Sequence, residues 1–185
     1  TRRRRAVLTN CYATDAEEVL GLEAASPAGP IAVLCPRAAC EYQADHDGRR
    51  FVFLTNRGAP HFRVCETERF GSPPDTWLET AAAAPGFFIE RLMAFDGHLA
   101  LVERGQGRER LRVIDRLSGV SHEVRFPDAV YHVWIDSNPD AASRSLRLGY
   151  TSLVTPVSYY DYDMERRALR LVQREEIDGY DASAF

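Results

Sequence analysis

Lysine is missing from this chain: all 23 basic residues among its 185 are arginines. With alanine abundant, that bias reflects genome composition rather than a task only arginine can perform. Long apolar runs are missing too, none approaching the roughly 18 to 20 residues that a helix needs to span a bilayer. The N-terminus lacks the charged-then-apolar pattern of a signal peptide. The expectation is a soluble, cytoplasmic protein with no membrane partner. Excess positive charge is absent as well: the formal net charge of -4 gives no reason to expect nucleic acid, despite Arg2 to Arg5 at the start. Redox and zinc spacings are also lacking. Cys35 and Cys40 are separated by Pro-Arg-Ala-Ala, neither a CxxC pair nor a zinc knuckle, so Cys11, Cys35, Cys40 and Cys65 read as free, partly buried thiols.

Helical periodicity is missing over any useful length. The best stretch, Asp75 to Ala84, contains a run of four alanines but stops at Pro85-Gly86, which allows a helical turn at most. What the sequence holds instead is short strand-like runs. The most informative stretch, Leu146 to Glu176, has runs at Leu146–Tyr150, Tyr159–Tyr162 and Leu169–Val172, joined by turns at Thr155-Pro156 and Asp163–Arg167. Val130–Ile135 supplies a fourth strand before them.

The same unit recurs. Before it come Ile89–Phe95, His98–Val102, Leu111–Ile114 and His122–Phe126. Before those come Glu41–Ala44, Phe51–Leu54, Phe62–Cys65 and Trp77–Thr80. The first unit offers three strands, Ala6–Thr9, Glu18–Leu22 and Ile31–Leu34, with none preceding them. Equivalent strands return every ~45 to 48 residues, the spacing of four-stranded propeller blades. A sandwich would show strands that alternate apolar and polar, because one face of each sheet meets water. Here Phe51–Leu54 and Leu99–Val102 are apolar on both faces, whereas His122–Phe126 mixes in charge. That gradient suits inner strands squeezed between blades. The expected fold is therefore all-β, a partial propeller of about four antiparallel meanders with the first blade incomplete. The segment covers 1–176, with blades near 1–38, 39–84, 85–127 and 128–176, and 177–185 reads as a linker. An incomplete first unit makes the chain look like a piece of a longer one.

Several side chains invite functional assignments. Asp45, His46, Asp47 and His61 include metal-ligand types, but Asp-His-Asp-Gly between two strands is first a turn whose aspartates bond the local backbone; no metal site is assigned. Asp161 and Asp163 stand at period two, on one face of a strand, as a general acid and base would. A strand-end turn followed by Arg166 and Arg167 accounts for them more simply. His46, His61, His98, His122 and His132 are scattered without a Ser or Cys in a shared motif. Arg2 to Arg5 lead into a strand and read as a solvated edge. Tyr150, Thr151 and Ser152 end an inner strand, where a propeller would set them near its tunnel or a domain interface, so they are the candidates for lining a substrate path. Packing is the simpler account of all three.

The order of residues resembles the later part of the propeller in the prolyl oligopeptidase family, and within it the oligopeptidase B group. The resembling stretches are Glu41-Tyr42 with Asp45-His46 and Arg50-Phe51, Leu54-Thr55-Asn56 with Gly58-Ala59-Pro60 and Phe62, Phe126-Pro127 with Ala129-Val130-Tyr131, and Asn138-Pro139. The most specific is Gly149–Leu153 followed by Thr155-Pro156 and Tyr160–Met164. Glu175-Glu176, Gly179–Asp181 and Phe185 are similar to the family's passage from propeller to catalytic domain. The resemblance implies a cytoplasmic serine peptidase that cleaves short peptides after basic residues. Its propeller would cap an α/β-hydrolase domain, the chain's main partner, and exclude folded proteins. It implies no cofactor. The chemistry would lie beyond Phe185: no GxSxG elbow occurs, since Gly119–Glu123 lacks the second glycine and sits in a hairpin. No catalytic residue is assigned, and the piece alone is expected to be inactive. A propeller module that binds a peptide or protein partner without catalysis is the alternative. Open blade edges would also let two isolated copies pair.

Overall fold

In the computed structural model residues 5–14 and 16–180 are described, and Arg2 to Arg4 fall outside them. Fifteen strands form four sheets among these residues. The first sheet holds β1 (Ala6–Tyr12), β2 (Glu17–Glu23) and β3 (Ala32–Ala38) in that order. The second holds β4 (Tyr42–His46), β5 (Phe51–Thr55), β6 (Arg63–Thr67) and β7 (Leu78–Ala82). The third holds β8 (Phe87–Ala94), β9 (His98–Gly105), β10 (Arg108–Asp115) and β11 (Ser121–Glu123), and the fourth β12 (Tyr131–Ile135), β13 (Ser145–Ser152), β14 (Ser158–Asp163) and β15 (Ala168–Arg174). Each strand pairs antiparallel with its neighbour in sequence, so every sheet is a meander and the all-β partial propeller is observed.

Two local expectations are adjusted. The alanine run is not helical: a short 3-10 turn at Pro74–Thr76 precedes it, and Ala81 and Ala82 pair with Val64 and Arg63 inside β7. Tertiary pairing overrides alanine's weak helix preference. β11 ends at Glu123 rather than Phe126. Val124 still donates to the Leu111 carbonyl, but the Phe126 ring leaves the third sheet to stack on Tyr150 of the fourth, centroids 4.9 Å apart.

Three apolar cores lie between successive sheets, and side-chain alternation in the second strand of each of the two middle sheets feeds two of them at once. In β5, Phe51 and Phe53 join Ala6, Val19 and Leu34, while Val52 and Leu54 join Ile89, Leu99 and Leu101. In β9, Leu99 and Leu101 share that second core, whereas Ala100 and Val102 face Val133, Leu148 and Tyr150. Both faces of these strands are therefore apolar because both are covered. Each fully buried Leu or Phe contributes roughly 1.5–3 kcal/mol. The last strand of a sheet meets water instead, and β15 is exposed along most of its length.

Polar side chains hold the sheets together where backbone bonds cannot. The first strands β4, β8 and β12 each present an unpaired edge to the preceding sheet, which is costly unless the edge is covered. Glu17 accepts from Tyr42 N at 2.6 Å. Gln43 brackets Leu92, accepting from its N–H at 3.1 Å and donating to its carbonyl at 2.7 Å. Asp45 accepts from Ala94 N at 3.0 Å, and Glu109 from Val133 N at 3.1 Å. Between the second and third sheets a buried guanidinium adds to this: Arg116 reaches Asp47 at 2.6 Å and Glu66 at 2.7 Å, and donates to the Phe95 carbonyl.

Candidate domain-docking end and relation to known proteins

Strand direction decides which loops share an end. In each four-stranded sheet the hairpin between second and third strands lies at the end where the first strand begins and the last one stops. In the fourth sheet Ser152 pairs with Tyr131, and Ser158 with Arg174. The last described residues therefore leave beside the β13–β14 turn, and they are tied to it. Glu175 N donates to the Val157 carbonyl at 2.8 Å, and the Tyr180 hydroxyl to the Val154 carbonyl at 2.6 Å.

At this end sits a carboxylate that nothing in the sequence marks. Asp128 accepts from the Tyr150 hydroxyl at 2.6 Å and from Thr155 Oγ1 at 2.7 Å, both on Oδ2. These hydrogen bonds, with Ser152 adding to them, hold its carboxyl below the usual carboxylate range. Burial and the Asp128 carboxylate together push the Tyr150 hydroxyl above its ordinary value. Asp128 is one acid in an inter-sheet connection, with partners 22 and 27 residues away. Only the folded meander brings them together.

The three residues singled out as a substrate path occupy distinct places. Tyr150 is fully buried: its ring stacks on Phe126 and meets Tyr160 edge-on, centroids 6.0 Å apart. Thr151 and Ser152 are half-buried and build the turn. Thr151 Oγ1 donates to the Thr155 carbonyl at 3.0 Å, while Ser152 Oγ accepts from Val154 N and Thr155 N. The turn tip, Leu153, stands 92% exposed, with Val130 and Ile177 also exposed at this end. A second feature here is a cleft of about 430 Å³ where the first three sheets meet, lined by Glu17, Glu41, Glu90, Tyr12 and Phe62 among others.

The remaining sequence candidates are committed to the fold. His46 is buried, its ring edge-on to Phe51 and its Nδ1 accepting from Gly48 N at 3.0 Å. Burial lowers its pKa. Asp47 accepts from Arg49 N and Arg50 N and pairs with Arg116. No group of three or more potential metal ligands converges among the described residues. Asp161 bridges Arg147 and Arg170, which hold its carboxyl low, and Asp163 accepts from Glu165 N and Arg166 N in the turn. His98 is buried, while His61 and His132 are exposed; His132 meets Glu109 at 2.7 Å. All four cysteines are free. Burial raises the thiol pKa of Cys35 and Cys65. No helix among the described residues is long and apolar enough to cross a membrane.

Residues 6–175 match the family model of the prolyl oligopeptidase N-terminal β-propeller domain. The chain belongs to that family. It is similar to dipeptidyl aminopeptidase BI of Pseudoxanthomonas mexicana, 34% identical over 174 residues that make up 93% of this chain and 24% of that protein. An uncharacterized peptidase of Sinorhizobium fredii is 26% identical over 77% of the chain and 20% of its own length. Among solved structures, oligopeptidase B of Leishmania major superposes with a TM-score of 0.87 at 18% identity, covering 99% of this chain and 28% of that one. Oligopeptidase B of Trypanosoma brucei in a closed form with covalently bound antipain gives 0.86 at 20%, over 99% and 28%. This prolyl oligopeptidase-family propeller segment thus spans about a quarter of the length of its curated relatives.

Proposed function

We propose that this segment is the gating part of a cytoplasmic serine peptidase of the oligopeptidase B type, which hydrolyses short peptides after basic residues. The observation that carries the reading is the family match across residues 6–175 together with the closure of the last described residues onto the β13–β14 turn. A catalytic α/β-hydrolase domain following residues 177–185 would sit at that end. It would cover Leu153, Val130 and Ile177, with Thr151 and Ser152 facing the substrate path and buried Tyr150 supporting them from beneath. Acyl transfer to a serine, assisted by histidine and aspartate, would take place on residues of that domain.

A second reading is favoured by one finding, the 34% identity to a dipeptidyl aminopeptidase: release of dipeptides from a free N-terminus. One assay separates the two. The parent protein is given a fluorogenic peptide ending in arginine with its N-terminus blocked, and the same peptide with it free, beside labelling by a serine-reactive fluorophosphonate. Cleavage of the blocked peptide supports the endopeptidase reading, and cleavage of the free one alone supports the aminopeptidase reading. No turnover and no label in the parent would overturn both and leave a propeller that binds a partner without catalysis.

A further inference from the structure

We infer that the outer cleft between the third and fourth sheets is a binding site for a dianionic phosphoryl group. The cleft encloses about 520 Å³ and is lined by His122 and Glu123 of β11, by Arg125, and by Tyr162, Arg167 and Leu169 of the β14–β15 hairpin. It lies far from the β13–β14 turn, because Arg167 belongs to the turn at the opposite end of β14. The site is therefore independent of the peptidase reading.

Charge is what distinguishes the cleft. Nineteen ion pairs run over the molecule's described surface and interior, yet none of them includes Arg125 or Arg167. The one carboxylate in the lining, Glu123, is already engaged by Arg108 at 2.7 Å and by Arg110 at 3.6 Å. Two arginines outside these ion pairs thus line an opening whose only acid is neutralised from outside. Each is a planar fork of donors that matches phosphate oxygens bidentately.

The imidazole completes the arrangement. His122 Nε2 lies 2.7 Å from the hydroxyl of buried Tyr162, which fixes the ring. Burial of the ring disfavours protonation of His122, and Arg167 adds to that. At neutral pH the ring can therefore offer its second nitrogen, Nδ1, as a neutral donor without adding a third cation. Arg167 also occupies a left-handed backbone position, φ +57, where glycine or asparagine is the usual choice. Its side chain is placed at the rim by that turn. Leu169 and the Tyr162 ring offer an apolar wall for whatever carries the phosphoryl group.

The test is calorimetric titration of the 185-residue chain with inorganic phosphate and, separately, with phenyl phosphate, in low-salt buffer, with acetate as control. Saturable 1:1 binding of phosphate is expected, with acetate at least about tenfold weaker because one oxyanion cannot engage both forks. Equal affinity for the two phosphates assigns recognition to the phosphoryl group alone, and tighter phenyl phosphate binding adds the Tyr162–Leu169 wall; either outcome supports the site. The double variant Arg125→Gln, Arg167→Gln should weaken phosphate at least about tenfold. Arg166→Gln, one residue away but paired with Asp163 outside the cleft, should leave it within about twofold. All three positions are exposed, so folding is not at issue. A flat titration with wild-type protein, or an equal loss in Arg166→Gln, would overturn the assignment.

Discussion

The indole of Trp134 lies on Gly149 of the neighbouring strand, so closely that a β-carbon at Gly149 would stand 2.0 Å from the ring. Gly149 is thus not a flexible point but the floor of an aromatic site, with His132 stacked on the indole and Tyr159 meeting it edge-on. Glycine is required because the ring occupies the space a side chain would need. Gly149→Ala should cost about 3 kcal/mol in urea unfolding, and adding Trp134→Ala should recover part of that loss. Simple additivity of the two changes would show that the ring does not depend on the glycine.

Asp128 and Tyr150 make a prediction with a pH sign. The folded-state pKa of Asp128 lies below its unfolded value of about 3.9. Its contribution to stability is therefore complete above about pH 4 and disappears as pH falls through the folded value. Asp128→Asn should destabilise the chain at pH 7 and much less at pH 3. Tyr150→Phe, which removes one charge-assisted bond, should cost about 1.5 kcal/mol at pH 7. A gap between wild type and Asp128→Asn that is constant from pH 7 to pH 3 would contradict the linkage.

Arg116 joins two sheets through buried carboxylates. Arg116→Met removes the cation that Asp47 and Glu66 share, leaving Glu66 to Arg50 and buried Asp47 without its guanidinium, so a loss of about 3–5 kcal/mol is expected. The double change Arg116→Met, Asp47→Asn should be the milder one, because Glu66 keeps its pair with Arg50 at 2.7 Å and no buried carboxylate is left without a cation. Thermal melts of the two proteins decide this.

The thiols divide by burial. Cys35 and Cys65 are buried and their pKa values raised, whereas Cys11 and Cys40 are partly open. A thiol-reactive disulfide reagent at pH 8 should label two cysteines readily and the other two only after denaturation, since the thiolate is the reactive form.

Among the described residues the outer face of the first sheet and the last strand of the fourth leave apolar side chains open, Val7 57% and Val33 49% exposed on one and Leu171 45% and Val172 41% on the other. We expect the isolated chain to self-associate through them in light scattering, by pairing of open blade faces. A monomer at high concentration would remove that expectation.

Strand positions, turn sites and the meander were legible in the residues because they rest on local signals: alternation, β-branched and aromatic runs, and glycine or aspartate turns such as Asp45–Gly48. The two-sided apolar character of Phe51–Leu54 and Leu99–Val102 even disclosed that sheets cover both faces. Local pattern could not, however, tell a strand from a turn in the alanine run, since Ala81 and Ala82 extend only because Val64 and Arg63 pair with them.

Sites were another matter. The sequence alone determined that Asp47, Asp161 and Asp163 stand next to turns and arginines, which is enough to spend them on structure. Only the tertiary fold decided that Tyr150 is buried, that Asp128 is its acceptor, that Arg116 bridges two sheets, and that Arg125, Arg167 and His122 share one cleft. The reason is distance along the chain. Side-chain periodicity encodes what lies within a strand and its next neighbour, whereas contacts between sheets join residues tens of positions apart and exist only once the sheets have packed.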